Sequence, residues 1–213
     1  QGSVEVDHDI TPFRSKRDMV GTQVRIAELL TWAIGSVAPV CFSMKWSVGR
    51  PRPEEIAWQI ATGNLTTSDG VPPDLVDKIA SMCLRSPHEF TAYPEGSPTH
   101  PAWPAMHAAA SAASLWLSVV LKLTPQQHCE LLRMDYAVAY ARTVSGVHYP
   151  TDNIAGLNTG KEILLARLAD HLADRYGSDR GRVQAKLERL SFDWADFDPE
   201  DCSVAGHNEY PPH

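Results

Sequence analysis

The stretch EGSPTHPAWPAMHAAASAAS, Glu95 to Ser114, places two histidines, His100 and His107, in a proline-rich lead-in to a run of alanines and serines. Pro104 suits the first position of a helix. The small apolar residues after it predict a helix continuing to Leu123 that packs closely on its neighbours. Upstream, apolar periodicity predicts helices over Ser15 to Ile34 and Val37 to Val48, separated by Gly35 and Ser36. GRPRPEE at Gly49 reads as a turn opening a helix over Glu54 to Thr62, and Asp74 to Leu84 reads as helical. Arg85 to Trp103 is a long loop. Downstream, TPQQ at Thr124 is a capping box that starts a helix reaching Val144. SGVHYPTD is a turn, followed by a helix from Thr151 to Tyr176 and another over Asp179 to Leu190.

Nothing repeats, and almost nothing alternates with period two. The predicted fold is all-α, a helical bundle over residues 16–190, with an extended arm over 1–15. The acidic tail 191–213 has no lysine or arginine, and Phe192, Trp194 and Phe197 predict that it docks on the bundle.

With 213 residues, 43% hydrophobic and 21% charged, the chain can bury a sizeable core. A net charge of -7 argues against nucleic acid as a partner, since such binders present a basic face. It leaves room for a small anion pocket built by a few cations. Cys41, Cys83, Cys129 and Cys202 form no C-x-x-C pair, so neither a zinc site nor a compartment follows from them. The apolar windows Ile26 to Met44 and Ala105 to Leu123 read as core helices rather than membrane spans, in keeping with a mean hydropathy of -0.25. The absent initiator methionine suggests a processed chain, secreted or organellar.

Three separated clusters carry chemistry. KWSVGRPRP holds Lys45, Arg50 and Arg52; the opening stretch holds His100 and His107; ARTVSGVHYPTD holds Arg142, His148 and Asp152. Singly, each has a plain structural reading, because bases at helix C-termini and acids at N-termini favour the helix dipole. Together they suit one tetrahedral oxyanion. Lys45, Arg52 and Arg142 supply charged donors, and Met106 a backbone N–H at a helix start. Asp152 can orient His148, and His107 can exchange a proton with a bound or leaving oxygen.

The blocks Lys45-x6-Arg52-Pro53, Pro104-Ala105-Met106-His107 and Ala141-Arg142-x5-His148-x3-Asp152 resemble the signature K-x6-R-P, P-S-G-H, S-R-x5-H-x3-D. That signature belongs to soluble acid phosphatases of the phosphatidic-acid-phosphatase type 2 class and to vanadium haloperoxidases. The segment EGSPTHPAWPAMHAA is similar to one in the algal vanadium bromoperoxidases. The resemblance spans about Ile26 to Ala166. It implies the helical bundle of that class, shortened at its N-terminus, with vanadate as cofactor and phosphate able to occupy the same site. It further implies His148 as the vanadium ligand, or as the nucleophile on phosphorus, with Asp152 orienting it. Lys45, Arg52 and Arg142 would hold the equatorial oxygens, His107 would be the acid/base, and His100 would tune halide oxidation. Ala105, Met106 and Ala141 stand where the signature has Ser, Gly and Ser.

Three functions stay open on these residues. One is a vanadate-dependent haloperoxidase that oxidises bromide or iodide with hydrogen peroxide. The second is a vanadate-inhibited acid phosphatase working through a phospho-histidine. The third is a non-catalytic subunit of the same fold. With only 44 residues before Lys45, the Ala105 to Leu123 helix is expected to be left partly bare, and the apolar helix from Ile26 to Met44 to lack some covering partners. A homo-oligomer, or a complex with a further N-terminal fragment, would cover them.

Overall fold

The structure, a computed structural model, describes residues 4–10 and 19–204. Residues 1–3 and 11–15 of the expected arm, the predicted helix start at Ser15 and the tail beyond residue 204 lie outside the described residues. The fold is all-α. Its helices are α1 (Met19–Val48), α2 (Pro53–Ala61), α3 (Pro73–Ser81), α4 (Met106–Ala110), α5 (Ala113–Val120), α6 (Pro125–Val144), α7 (Pro150–Tyr176) and α8 (Arg180–Leu190). Two antiparallel pairs of two-residue strands complete it: β1 (Glu5–Val6) with β2 (Leu121–Lys122), and β3 (Phe197–Asp198) with β4 (Ser203–Val204).

The expected break at Gly35 and Ser36 does not occur, because α1 runs unbroken through Pro39. Proline removes one helix hydrogen bond and presses on the carbonyl four residues back, here that of Gly35. Tertiary packing overrides that local cost. Leu29, Ala33, Val37, Cys41 and Lys45 are all buried, an unbroken ridge at four-residue spacing. The first four pack on the core, and the fifth delivers its ammonium beneath the loop over residues 95–105.

The small-residue run also differs from its prediction. It is two helices, α4 and α5, and then a strand. The buried Asp135 carboxylate of α6 accepts from the N–H groups of Ala113 (3.3 Å) and Ser114 (2.8 Å), so α5 starts afresh with its own cap. Burial pushes the Asp135 carboxyl up to about 7, against the pull of those N–H bonds.

Nor is the small-residue segment bare. Ala105, Ala108, Ala109, Val119 and Val120 are fully buried. α4 lies on α7 where Gly156 and Gly160 face it, and a Cβ at either glycine would collide with the backbone of Ala105 or Ala109. The alanines and the two glycines are therefore one feature, a close helix crossing. The apolar side chains left exposed lie mainly on α1, notably Val20, Val24, Leu30, Ile34 and Trp46, with Met134, Val138, Tyr140 and Val144 on α6. By length and composition alone, the helical stretch Val20–Ala61 could cross a membrane.

The tail segment after α8 packs Trp194, Phe197, Cys202 and Val204 against Leu132, Ala139 and Leu157. A disulfide between Cys129 and Cys202 ties it to α6. That pairing joins residues 73 apart in sequence and has no local motif to announce it.

Gly160→Ala should destabilise the chain by about 1–3 kcal/mol, as overpacking does. Gly35→Ala, in open space on the solvent side of α1, should stabilise it by about 0.5–1 kcal/mol. Urea midpoints for the two variants check the pair, and equal signs would contradict the proposed crossing.

Candidate active site

The turn between α6 and α7 sets three of the expected residues. Arg142 lies in the last turn of α6, and its carbonyl accepts from the N–H groups of Val147 and His148 at 3.2 Å each. Gly146 takes φ +74°, and a side chain there would strike the Phe90 carbonyl. Pro150 opens α7, and the Asp152 carboxylate caps it by accepting the Tyr149 N–H at 3.0 Å. The same Oδ2 meets His148 Nδ1 at 3.3 Å.

Arg52 fixes the other imidazole nitrogen. Its Nη1 lies 3.0 Å from His148 Nε2 and donates to the Val147 carbonyl at 2.7 Å. A guanidinium only donates, so Nε2 must accept and Nδ1 carries the proton toward Asp152. His148, 3% exposed, is thereby held as one neutral tautomer with its basic nitrogen turned away from the carboxylate. Burial pushes its pKa down to about 4, outweighing the Asp152 hydrogen bond, and the Arg52 and Lys45 charges act in the same direction as burial.

The loop over residues 95–105 is built on these cations. Arg52 Nε donates to the His100 carbonyl (3.0 Å), and Nη2 contacts His100 Nδ1 (3.0 Å). The same Nδ1 lies 3.3 Å from the Pro101 carbonyl. Its ring also meets Phe42 edge-on, at 5.3 Å between centroids. Lys45, wholly buried, donates to the carbonyls of Pro101 and Ala102 at 2.9 Å each. The Glu54 carboxylate accepts the Ser97 N–H (3.0 and 3.1 Å), and Ala102 N donates to the Arg50 carbonyl (2.8 Å). A proline-rich loop has few internal ladders, so buried side chains satisfy its backbone instead. Burial, reinforced by Arg52, lowers the Lys45 pKa to about 8.

An open cleft of about 540 Å³ adjoins this buried layer, lined in part by Tyr93, Glu95, His100, His107 and Arg142. His107 is exposed there, and its ring makes no hydrogen bond among the described residues. Desolvation first, and the Arg142 charge second, lower its pKa. Arg142 Nη1 donates to the Tyr93 hydroxyl, the Tyr93 ring lies 5.3 Å from the guanidinium, and the buried Nε has no partner among the described residues. Met106 begins α4, but its side chain packs with Val37, Cys41, Ala109 and Ile163, not over the cleft.

The eight sequence-derived residues thus gather in one region, in two layers. His100, His107 and Arg142 face the cleft. Lys45, Arg52, His148 and Asp152 form the buried layer, where Lys45 and Arg52 already serve protein acceptors. Met106 brings only its backbone to the helix start. Glu54 and Tyr93 went unnoticed in the sequence. A buried acid two residues after Arg52, and an aromatic in the loop, are their only signals.

The His148 shift has a stability consequence. Its folded pKa lies below the unfolded value of 6.5, so the unfolded state takes up a proton first as pH falls. His148 stabilises the fold fully above pH 6.5, and that contribution, about 3 kcal/mol, fades toward pH 4. Urea unfolding of wild type and His148→Gln at pH 7 and pH 4.5 should show a steeper acid loss in wild type. Parallel losses would contradict the assigned tautomer and burial.

No curated protein matches the chain. The PAP2 superfamily matches it over residues 27–172, a span that runs from α1 through all eight candidate residues into α7. The chain belongs to the PAP2 superfamily.

Proposed function

We propose that the chain is a vanadate-dependent haloperoxidase that oxidises bromide or iodide with hydrogen peroxide. The observation that carries this reading is the series Asp152–His148–Arg52–His100, which links the ligand imidazole to the additional histidine lining the cleft. The donor set fits vanadate. Three cations and one neutral imidazole match a tetrahedral oxyanion, and the partnerless buried Nε of Arg142 leaves a donor to spare.

Vanadate, when bound, supplies the Lewis-acidic centre that activates peroxide toward halide. The protein's part follows from its own residues. His148 would hold vanadate through Nε2 while Asp152 keeps the Nδ1 proton. Arg52 would exchange its bond to Nε2 for one to the oxyanion, and Lys45 and Arg142 would neutralise the remaining oxygens. His107 would hold or release a proton at a bound oxygen, and its lowered pKa keeps it able to accept one at neutral pH.

The second reading is a metal-independent phosphatase, favoured by the neutral His148 whose basic Nε2 is preset by the chain itself. Nε2 would attack phosphorus, the P–O ester bond would break, and His107 would give its proton to the leaving oxygen. Water would then cleave the N–P bond. On either reading the exposed apolar face of α1 supports self-association or a further covering segment, which light scattering at micromolar concentration tests.

Bromination of an activated diketone should require peroxide, bromide and added vanadate, and should vanish in His148→Ala. Phosphate-ester turnover abolished by vanadate, with no halogenation, would favour the second reading. Failure of both assays would contradict both readings. Phosphate, as a plain probe of the site, should bind more weakly as pH rises through about 8, where Lys45 loses its charge. Titration calorimetry at pH 7 and pH 9 should show this in wild type and not in Lys45→Met.

A further inference from the structure

Arg50 shares the first basic cluster with Lys45 and Arg52, yet the oxyanion reading gives it no task. Its geometry does. Arg50 Nη1 lies 2.7 Å from Asp152 Oδ1 and 2.8 Å from Thr151 Oγ1. Its guanidinium sits over the Tyr149 ring, 4.2 Å from the centroid. Tyr149 and Thr151 lie between His148 and Asp152 in sequence, so three contacts hold Arg50 to one short segment.

The consequence concerns the two oxygens of Asp152. This carboxylate is wholly buried. Oδ2 takes the His148 Nδ1–H and the Tyr149 N–H. Oδ1 is taken by Arg50. Without that ion pair, Oδ1 would be a buried anionic oxygen with no partner among the described residues, and the carboxylate would be free to rotate toward other donors. Lys45 and Arg52 make no bond to Oδ1; their hydrogen bonds go to the loop carbonyls, Val147 and the two histidines.

We propose that Arg50 is a positioning residue for His148: by clamping Asp152 Oδ1 it aims Oδ2 at the Nδ1–H and so keeps Nε2 directed at the oxyanion. Arg50 touches neither substrate nor oxyanion, and it acts through Asp152. It is also reachable from solvent, its side chain being 35% exposed, whereas the pair it supports is not. The inference builds on the proposed role of His148, but the contact it concerns exists without any ligand.

The test reads that contact directly. In the histidine-labelled full chain at pH 7, without ligand, wild type should show a protected, downfield Nδ1–H signal for His148. Arg50→Ala should move it upfield and raise its exchange with water by at least about tenfold. Added guanidinium ion should restore it, and Arg50→Lys should fall between, since a lysine keeps the charge but not the fork. With the substrate the proposed function identifies, Arg50→Ala should lower kcat by about 10- to 100-fold, as loss of an outer partner of a ligand does. KM should change little. In an Asp152→Asn background the same substitution should cost nothing more. An unchanged Nδ1–H signal, or an equal loss of kcat in both backgrounds, would overturn the proposal. If wild type turns over nothing while the signal still responds, the proposed function fails and the positioning role stands.

Discussion

The site rests on a single buried guanidinium. Arg52 stands at the start of α2, and its hydrogen bonds reach the His100 carbonyl and ring, the Val147 carbonyl and the His148 ring. It thereby joins three stretches of chain that share no secondary structure. Burying such a cation costs several kcal/mol unless every donor is met. Here the acceptors come from the segments that carry the chemistry, so the charge orders the site as it satisfies itself. Pro53, at the first position of α2, presets the backbone that aims it.

The second constraint is how closely α4 approaches α7. Gly156 and Gly160 leave room for the backbone of Ala105 and Ala109, and Ala105 N donates to the Asp152 carbonyl at 2.9 Å. Two imidazoles precede or open a helix of small residues because only such a helix can sit this near Asp152. His107 then faces the cleft from one side while His148 lies in the layer behind. The alanines serve position and not association; of the two helices expected to lie partly bare, only α1 exposes apolar side chains, and α6 exposes others.

Much of this was legible in the sequence because it is local. The Thr124-x-x-Gln127 box and the spacing of Arg142, His148 and Asp152 both act within a turn or two, whereas Pro104, read as a first helical position, precedes a helix that begins at Met106. What escaped is non-local. The Asp135 carboxylate divides the small-residue helix from 21 residues away. The packed ridge from Leu29 to Lys45 carries α1 through Gly35 and Pro39. Cys129 finds Cys202 only once the tail has docked. Lys45 and Arg52 also donate to backbone carbonyls, a task with no local signal, because the loop that needs those donors has no sequence signature of its own.

A crystal of the chain soaked in vanadate tests the central claim, that the three clusters form one oxyanion site at His148. The account predicts vanadium bonded to His148 Nε2, with Arg52 swung from that nitrogen onto a vanadate oxygen and Arg142 on another. Vanadate bound elsewhere, or full occupancy with Arg52 still on Nε2, would contradict it.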